Sequence, residues 1–428
     1  MKNIESLKFL HADEIPLIAN SFGTPVFVYD LETAKKNYTY FSQIPNAYGL
    51  TVRFSVKANP NRAILSCFNK LGAYFDVSST WEARRCINAG ISAKKILITA
   101  QEISSGWEQL CEEGMEFDAG SLHQLKTYGE KFPGSSVSIR VNPGFGSGLV
   151  KKLTSGGSHS SFGLWFAHFD EAVTLAKHYL LTIKRIHLHI GSGHDSAVLE
   201  KTVQHALELC EKVPSVTHLN LGGGYKVTAL NSDPEYDHHA VGTRIGTLLE
   251  DFKHKTGRKL HLEVEPGTYS MALAGSLITR VIDIVNTGPE GYRFIKIDGG
   301  LTEIMRPSYY GAIHPLVVVN QKGVLANDSI LEQMVCGHCC IAGDNLTPVP
   351  GNNEDFSPVQ LAQAEIGDYL VVERTGAYAA SMSVRNFNSY PDAAEICRCA
   401  KNDYRIIRER QTLQQIIQNE RDLPANLM

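Results

Sequence analysis

Phe54-Ser55-Val56-Lys57-Ala58-Asn59-Pro60 leaves a strand, carries a single cation and breaks at a proline. Thr51, Val52, Phe54 and Val56 are β-branched or aromatic, the composition of a strand. Asn59-Pro60-Asn61 is a turn signal, and Ile64, Leu65, Phe68 and Leu71 follow at helical spacing. Lys57 therefore stands at the C-terminal end of an apolar strand. A lysine is costly to bury there unless it is paired or partly neutralised. Its free amine would be a nucleophile of the kind that condenses with carbonyls. A blander reading is a strand-end lysine reaching into solvent.

The same strand-turn-helix unit recurs along the chain. Strand-like runs are read at 51–56, 74–77, 95–100, 116–119, 136–141, 185–190, 218–221 and 259–265. Runs with helical spacing lie between them, at 80–89, 121–128, 170–178 and 196–212. Alternation of this kind predicts βαβ units and a parallel sheet. Eight units are what a (β/α)8 barrel of the TIM type needs, and the span is a usual size for one. A doubly wound open sheet is the runner-up.

Ahead of the barrel, 15–22 reads as a helix and 25–29 as a short strand. After residue 268 the texture changes. Strands at 277–285, 294–297, 316–320 and 369–372 have few helices between them. Turns such as Asn320-Gln321-Lys322-Gly323 would join them as hairpins. This predicts a second, mostly antiparallel β domain. The last run, 411–419, reads as a helix. The expected division is 1–30 as an N-terminal segment packing with the β domain, 31–270 as the barrel and 271–428 as the β domain.

Composition narrows the class. The chain has 428 residues, 43% hydrophobic and 20% charged, and can bury large cores without staples. A net charge of −4 gives no reason to expect nucleic acid. No window approaches about 18 uncharged apolar residues, so no membrane span is expected. The N-terminus, with Glu5, Asp13 and Glu14, lacks the apolar region of a signal peptide. Nine cysteines, odd in number and unevenly spaced, fit reduced thiols, and a cytoplasmic protein is expected.

Chemistry in a (β/α)8 barrel sits at the C-terminal ends of the strands. Lys57 ends the first strand here. His189-Ile190-Gly191-Ser192-Gly193 ends the sixth, Leu221-Gly222-Gly223-Gly224-Tyr225 the seventh and Glu265-Pro266-Gly267 the eighth. Each has a bland reading: a flexible glycine loop, a satisfied core histidine, a structural carboxylate. Successive glycine amides also make an anion nest, and the loops after strands seven and eight are where barrels often hold phosphate. A lysine, a phosphate nest, a histidine and a carboxylate on one face suit pyridoxal phosphate. The lysine takes the aldehyde, the nest takes the phosphate, and the acid keeps the pyridine nitrogen protonated. Cys336-Gly337-His338-Cys339-Cys340 with Cys397-Arg398-Cys399 also raises a zinc site. The second pair, however, is C-x-C and fits structural zinc poorly, so no metal is expected.

These residues, with Val56-Lys57-Ala58-Asn59, Arg140-Val141-Asn142-Pro143-Gly144, Met305-Arg306-Pro307-Ser308-Tyr309-Tyr310-Gly311 and Gly376-Ala377-Tyr378-Ala379-Ala380-Ser381-Met382, are familiar in combination. The chain resembles the fold-type III pyridoxal-phosphate-dependent decarboxylases with an alanine-racemase-like barrel, and among them the bacterial diaminopimelate decarboxylases. The resemblance runs from Pro25 to Thr412. It implies that Lys57 is the Schiff-base lysine and that Asp76 lies near it. His189 would stack on the pyridine ring and Glu265, next to Gly267, would pair with its nitrogen. Ser192, Gly222, Gly223, Gly224 and Tyr378 would hold the phosphate. Arg306 and Tyr310, with Tyr378, would hold the substrate's distal carboxylate. Cys340 would come from the second subunit of a homodimer and help return a proton.

The sequence departs from the family at three positions. Thr268 stands where the family has arginine, Ile341 where it has glutamate, and His338 where it has proline. The resemblance implies decarboxylation of meso-2,6-diaminopimelate to L-lysine and CO2. The departures keep open a different amino-acid substrate, such as a glutamyl group tethered to a carrier protein. A racemase of the same fold and a non-catalytic cofactor carrier also stay open. The length of the chain, Cys340 and Tyr378 favour a decarboxylase over a racemase, and Lys57 with Cys340 favours an enzyme over a carrier.

Overall fold

A computed structural model describes residues 4–193, 196–326 and 329–424. The chain forms two compact units. One comprises 32–228 and 233–272, the other 1–31, 229–232 and 273–428.

The first unit is a closed barrel of eight parallel strands. In chain order they are Leu50–Ser55, Tyr74–Val77, Ile96–Ile98, Glu116–Ala119, Ser136–Asn142, Thr182–His187, His218–Asn220 and His261–Val264. Each pairs with the next, and the eighth closes on the first with Val264 opposite Val52. All eight expected strands are present and their order rules out the open sheet. The sixth begins and ends about a turn's length earlier than its apolar run suggested, at His187, so His189 stands in the loop beyond it. Caps place the helices: Asn61 accepts from the Ala63 amide, Ser79 from Glu82 and Ser121 from Gln124. Their apolar faces cover the outside of the barrel, as where Phe54 stacks on Phe68 with ring centroids 4.2 Å apart. Burying each such ring contributes about 1.5–3 kcal/mol.

The inside of the barrel is polar, unlike the branched aliphatic layers usual in this architecture. Alternate residues point inward, and here they are Arg53 and Ser55, Glu116 and Asp118, Ser138 and Arg140, Arg185 and His187, and Glu263 and Glu265. At the N-terminal end Arg53 Nε lies 3.0 Å and Arg185 Nε 2.7 Å from Glu263 Oε2. Glu116 Oε2 takes both guanidinium groups at 3.0 and 2.7 Å, and Glu116 Oε1 takes Lys184 Nζ at 2.6 Å. Burial alone would raise the Glu116 carboxyl, but Arg185, Arg53 and Lys184 outweigh it and hold it down to about 2. Glu263 is depressed in the same way by Arg53 and Arg185. A depressed carboxylate stabilises the fold above its unfolded value of about 4.3 and loses that contribution as pH falls through the folded value. Melting temperature should therefore drop steeply between about pH 4 and pH 2. Glu263→Gln should flatten that acid limb; an unchanged limb would show that the network does not set it.

The second unit is a mixed sheet. Its order runs Val359–Ala362, Ile330–Cys336, Arg293–Ile297, Gly275–Asn286, Val26–Asp30, Ala394–Ala400 and Asp403–Arg408. Tyr369–Val372 branches from Gly275–Asn286 and pairs on its far side with Leu316–Val319. Most pairs are antiparallel, but Val26–Asp30 runs parallel to Ala394–Ala400 and Arg293–Ile297 parallel to Ile330–Cys336. The N-terminal strand thus sits inside the sheet, with Val26, Val28, Ile278, Val371 and Ile396 in one core. The Asn320–Gly323 turn forms, yet Leu316–Val319 builds its ladder with Tyr369–Val372 rather than with a chain neighbour. The final helix is Leu413–Ile417, started by a capping box between Thr412 and Gln415.

Candidate active site

The first strand ends in a single 3-10 turn, Val56–Ala58, that lifts Lys57 out of the strand while Val56 and Ala58 stay buried. The lysine side chain is 44% exposed, so the amine is presented rather than entombed. Its Nζ lies 3.4 Å from Asp76 Oδ2, at the end of the second strand, and 3.4 Å from Ser78 Oγ. The expected neighbour of the lysine is therefore in place.

Glu265 follows the eighth strand and is buried. Its Oε1 accepts from Asn220 Nδ2 at 2.7 Å. His187 Nε2 stands 3.8 Å from its Oε2. Burial pushes the Glu265 carboxyl up and Asp76 adds to this, while His187, Lys57 and the Asn220 hydrogen bond oppose it. His187 is in turn held from the other side, with Nδ1 2.6 Å from Asp118 Oδ2. That oxygen also accepts from Thr99 Oγ1 at 3.1 Å. Arg140, buried on the fifth strand, packs its guanidinium on the Phe162 ring at 5.0 Å.

His189 accepts the Gly223 amide on Nδ1 at 3.2 Å, which ties the loop after strand six to the loop after strand seven. Gly222 is required twice over. Its φ is +64°, and a Cβ there would lie 2.6 Å from the His189 Cβ. A Cβ on Gly223 would meet the Glu265 carbonyl at 2.4 Å. The triple glycine is thus a close approach of three loops and not a slack linker. Its Gly222 amide donates to Asn220 Oδ1 at 2.8 Å. Ser192 is anchored on the loop 147–155, its amide donating to Leu153 O at 3.0 Å. Gly267 begins the short helix Gly267–Met271, with its amide bonded to Glu265 O at 2.9 Å.

The remaining candidates belong to the second unit. Arg306 opens the short helix Arg306–Tyr310, and its guanidinium lies 5.7 Å from the centre of the Tyr310 ring and 5.9 Å from that of Tyr378. Tyr378 holds φ at +56°, a left-handed conformation that costs a non-glycine residue about 1–3 kcal/mol and gathers at functional sites. Burial lowers the Arg306 pKa, against the two tyrosines. Within its unit, among the described residues, Arg306 has no carboxylate partner. Of the three residues assigned from the sequence to a distal carboxylate, Tyr310 and Tyr378 thus flank the third, the half-buried cation of Arg306. Cys340 is exposed, its amide fixed by Asn388 Oδ1 at 2.8 Å, and Ile341 beside it is 52% exposed. Cys336 and Cys397 lie on strands separated by three others, and no group of three or more metal-type ligands occurs among the described residues.

The barrel residues fit pyridoxal phosphate on their own terms: a presented amine, a buried carboxylate, and a glycine run in which a Cβ at Gly222 or Gly223 would clash with the flanking loops. Asp118, His187 and Asn220 received no role from the sequence. Their signal was available in the period-two run of polar residues, His187 two before His189 and Asp118 two after Glu116.

Comparison with known proteins agrees. The profile of the family described as "Pyridoxal-dependent decarboxylase, pyridoxal binding domain" matches residues 34–272. The chain is 32% identical over 418 residues to diaminopimelate decarboxylase of Escherichia coli strain K12, covering 95% of this chain and 96% of that protein. It is 30% identical over 417 residues to diaminopimelate decarboxylase of Streptomyces coelicolor, covering 96% and 92%. A crystal structure of diaminopimelate decarboxylase superposes with a TM-score of 0.88 at 30% identity, covering 97% of this chain and 99% of the other. That of the M. jannaschii enzyme in complex with L-lysine gives 0.84 at 25% identity, covering 96% and 95%.

Proposed function

The chain belongs to the pyridoxal-dependent decarboxylases, and from that premise we propose that it decarboxylates meso-2,6-diaminopimelate to L-lysine and CO2. The observation that carries this choice of substrate is Arg306, a half-buried guanidinium against two tyrosines with no carboxylate of its own unit, among the described residues, to neutralise it. A substrate carboxylate remote from the reacting carbon supplies the missing charge and hydrogen bonds.

Pyridoxal phosphate, when bound, supplies the electron sink for the charge left on the substrate carbon after CO2 departs. Lys57 is the amine that carries it, with Asp76 and Ser78 orienting Nζ. Glu265 would pair with the ring nitrogen and keep it protonated, His189 would stack on the ring, and Gly267, bonded through its amide to the Glu265 carbonyl, would complete that side of the cofactor site. Ser192, Gly222, Gly223, Gly224 and Tyr378 would hold the phosphate, and a Cβ on Gly222 or Gly223 would clash with His189 or the Glu265 carbonyl. Lys57 Nζ, or Cys340 Sγ of the second subunit, would return a proton to the substrate carbon. We place the reaction in the cytoplasm and in a homodimer.

The decisive experiment is CO2 release from meso-diaminopimelate, lysine, ornithine, arginine and a carrier-bound glutamyl thioester. Release from meso-diaminopimelate well above the rest is expected. Ile341 favours a second reading, because an exposed isoleucine replaces the carboxylate with which the family reads a distal amine. On that reading the tethered glutamyl group is preferred.

The homodimer has its own test. Mixing Lys57→Ala with Cys340→Ala subunits should restore about a quarter of wild-type activity at random exchange, since half of the dimers then carry one intact site. No recovery, with exchange shown by mass spectrometry, would mean that each site is built within one chain.

A further inference from the structure

Five side chains, three on strands and two just past strand ends, form a line through the barrel: Thr99, Asp118, His187, Glu265 and Asn220. Thr99 Oγ1 donates to Asp118 Oδ2 at 3.1 Å, and His187 Nδ1 lies 2.6 Å from the same oxygen. The imidazole is 1% exposed, and its Nε2 is buried without a hydrogen-bond partner among the described residues. That nitrogen stands 3.8 Å from Glu265 Oε2, while Asn220 holds the other carboxylate oxygen at 2.7 Å. A buried, unsatisfied ring nitrogen beside a buried carboxyl group is costly unless one proton is shared between them.

We propose that His187 is a positioning residue for Glu265: Asp118 fixes hydrogen on Nδ1, and Nε2 takes the Glu265 proton, leaving the anion that the cofactor's ring nitrogen requires. The Oε2–H bond breaks, the Nε2–H bond forms, and a neutral pair becomes an ion pair. A 3.8 Å separation is of the kind that is often long before binding and tightens on it. The inference rests on the reading that Glu265 faces that nitrogen. The environment explains why a proton acceptor is needed. Burial and Asp76 drive Glu265 toward its neutral form. Among the described residues, the fields of Lys57, Arg53 and Arg140 reach it as cations, and Tyr225 is a further titratable neighbour.

The test is the affinity of the full-length apoprotein for pyridoxal phosphate, followed by absorbance from pH 6 to 9. Wild type should bind with nearly constant affinity. His187→Asn should bind about tenfold more weakly at the acid end, the scale of one lost hydrogen bond, and recover as pH rises and Glu265 ionises unaided. Asp118→Asn should behave alike, because it no longer holds the imidazole in that tautomer. His187→Gln keeps an N–H near Glu265 but cannot take a proton, so it should show the same acid-side loss. Glu265→Gln should bind weakly at every pH. A flat, wild-type profile for His187→Gln or His187→Asn, with Glu265→Gln still weak, would overturn the inference and spare the reading of Glu265. Wild-type affinity in Glu265→Gln would overturn both. Should His187→Asn fail to fold by circular dichroism, the glutamine and Asp118 variants decide the matter.

Discussion

Lys57→Ala should lower kcat for CO2 release by at least about 10³-fold, the scale of removing a covalent nucleophile. Borohydride should then no longer fix the cofactor to the chain, and the visible absorption of lysine-bound pyridoxal phosphate should be lost. The fold should survive. The side chain is 44% exposed, Val56 and Ala58 on either side keep their burial, and substitutions at such positions usually shift stability by no more than about 0.5 kcal/mol. Lys57→Arg separates charge from chemistry. It keeps a cation beside Asp76 but not the nucleophile, so it should be nearly as inactive as alanine. If borohydride still labels the alanine variant at another lysine, Lys57 is not the residue that carries the cofactor.

Arg306→Ala should lower kcat/KM for meso-diaminopimelate by at least about 10²-fold, the scale of losing a charged hydrogen bond. The loss should fall mainly on KM if the distal carboxylate is gripped equally in the ground and transition states. Lysine and ornithine lack that carboxylate. They should be poor substrates of the wild type and should lose little further in Arg306→Ala. The ratio between the substrates is therefore the diagnostic quantity. A decrease shared equally by all three would mean that Arg306 supports the fold of its helix. An unchanged rate for diaminopimelate, with faster turnover of lysine or ornithine, would sink the substrate assignment while leaving the cofactor chemistry intact.

Departures from the family bear on this second experiment more than on the first. Lys57, Glu265 and the triple glycine are present and form one connected group in the barrel. Ile341 and Thr268 bear instead on the proposed choice of substrate. Arg306, Tyr310 and Tyr378 nevertheless gather in their own unit, which is why a distal carboxylate remains the favoured handle.

The barrel was legible because its evidence is local. Strand and helix periods differ, Asn61, Ser79 and Ser121 mark where helices start, and glycine or proline marks where strands stop. The strands at 330–336 and 394–408 were not legible for the opposite reason. Residues such as Glu332, Gln333, Arg398 and Asp403 give no clean alternation, and what makes Ala394–Ala400 a strand is its partner Val26–Asp30 at the far end of the chain.

Sequence alone determined which residues could do chemistry: Lys57, Glu265, Arg306 and the glycines are chemically distinctive wherever they lie. Only the tertiary structure decided which of them act on one another. Lys57 meets Asp76, His187 stands between Asp118 and Glu265, and Arg306 lies over Tyr378, each from elements brought together by ring closure or sheet order. The registers of the sixth, seventh and eighth strands, in which Asn220 pairs with His187 on one side and Glu263 on the other, set Glu265 against His187, and no local period encodes them. Charges buried this way interact through a low-dielectric interior, so their effect depends on distances that spacing along the chain does not supply.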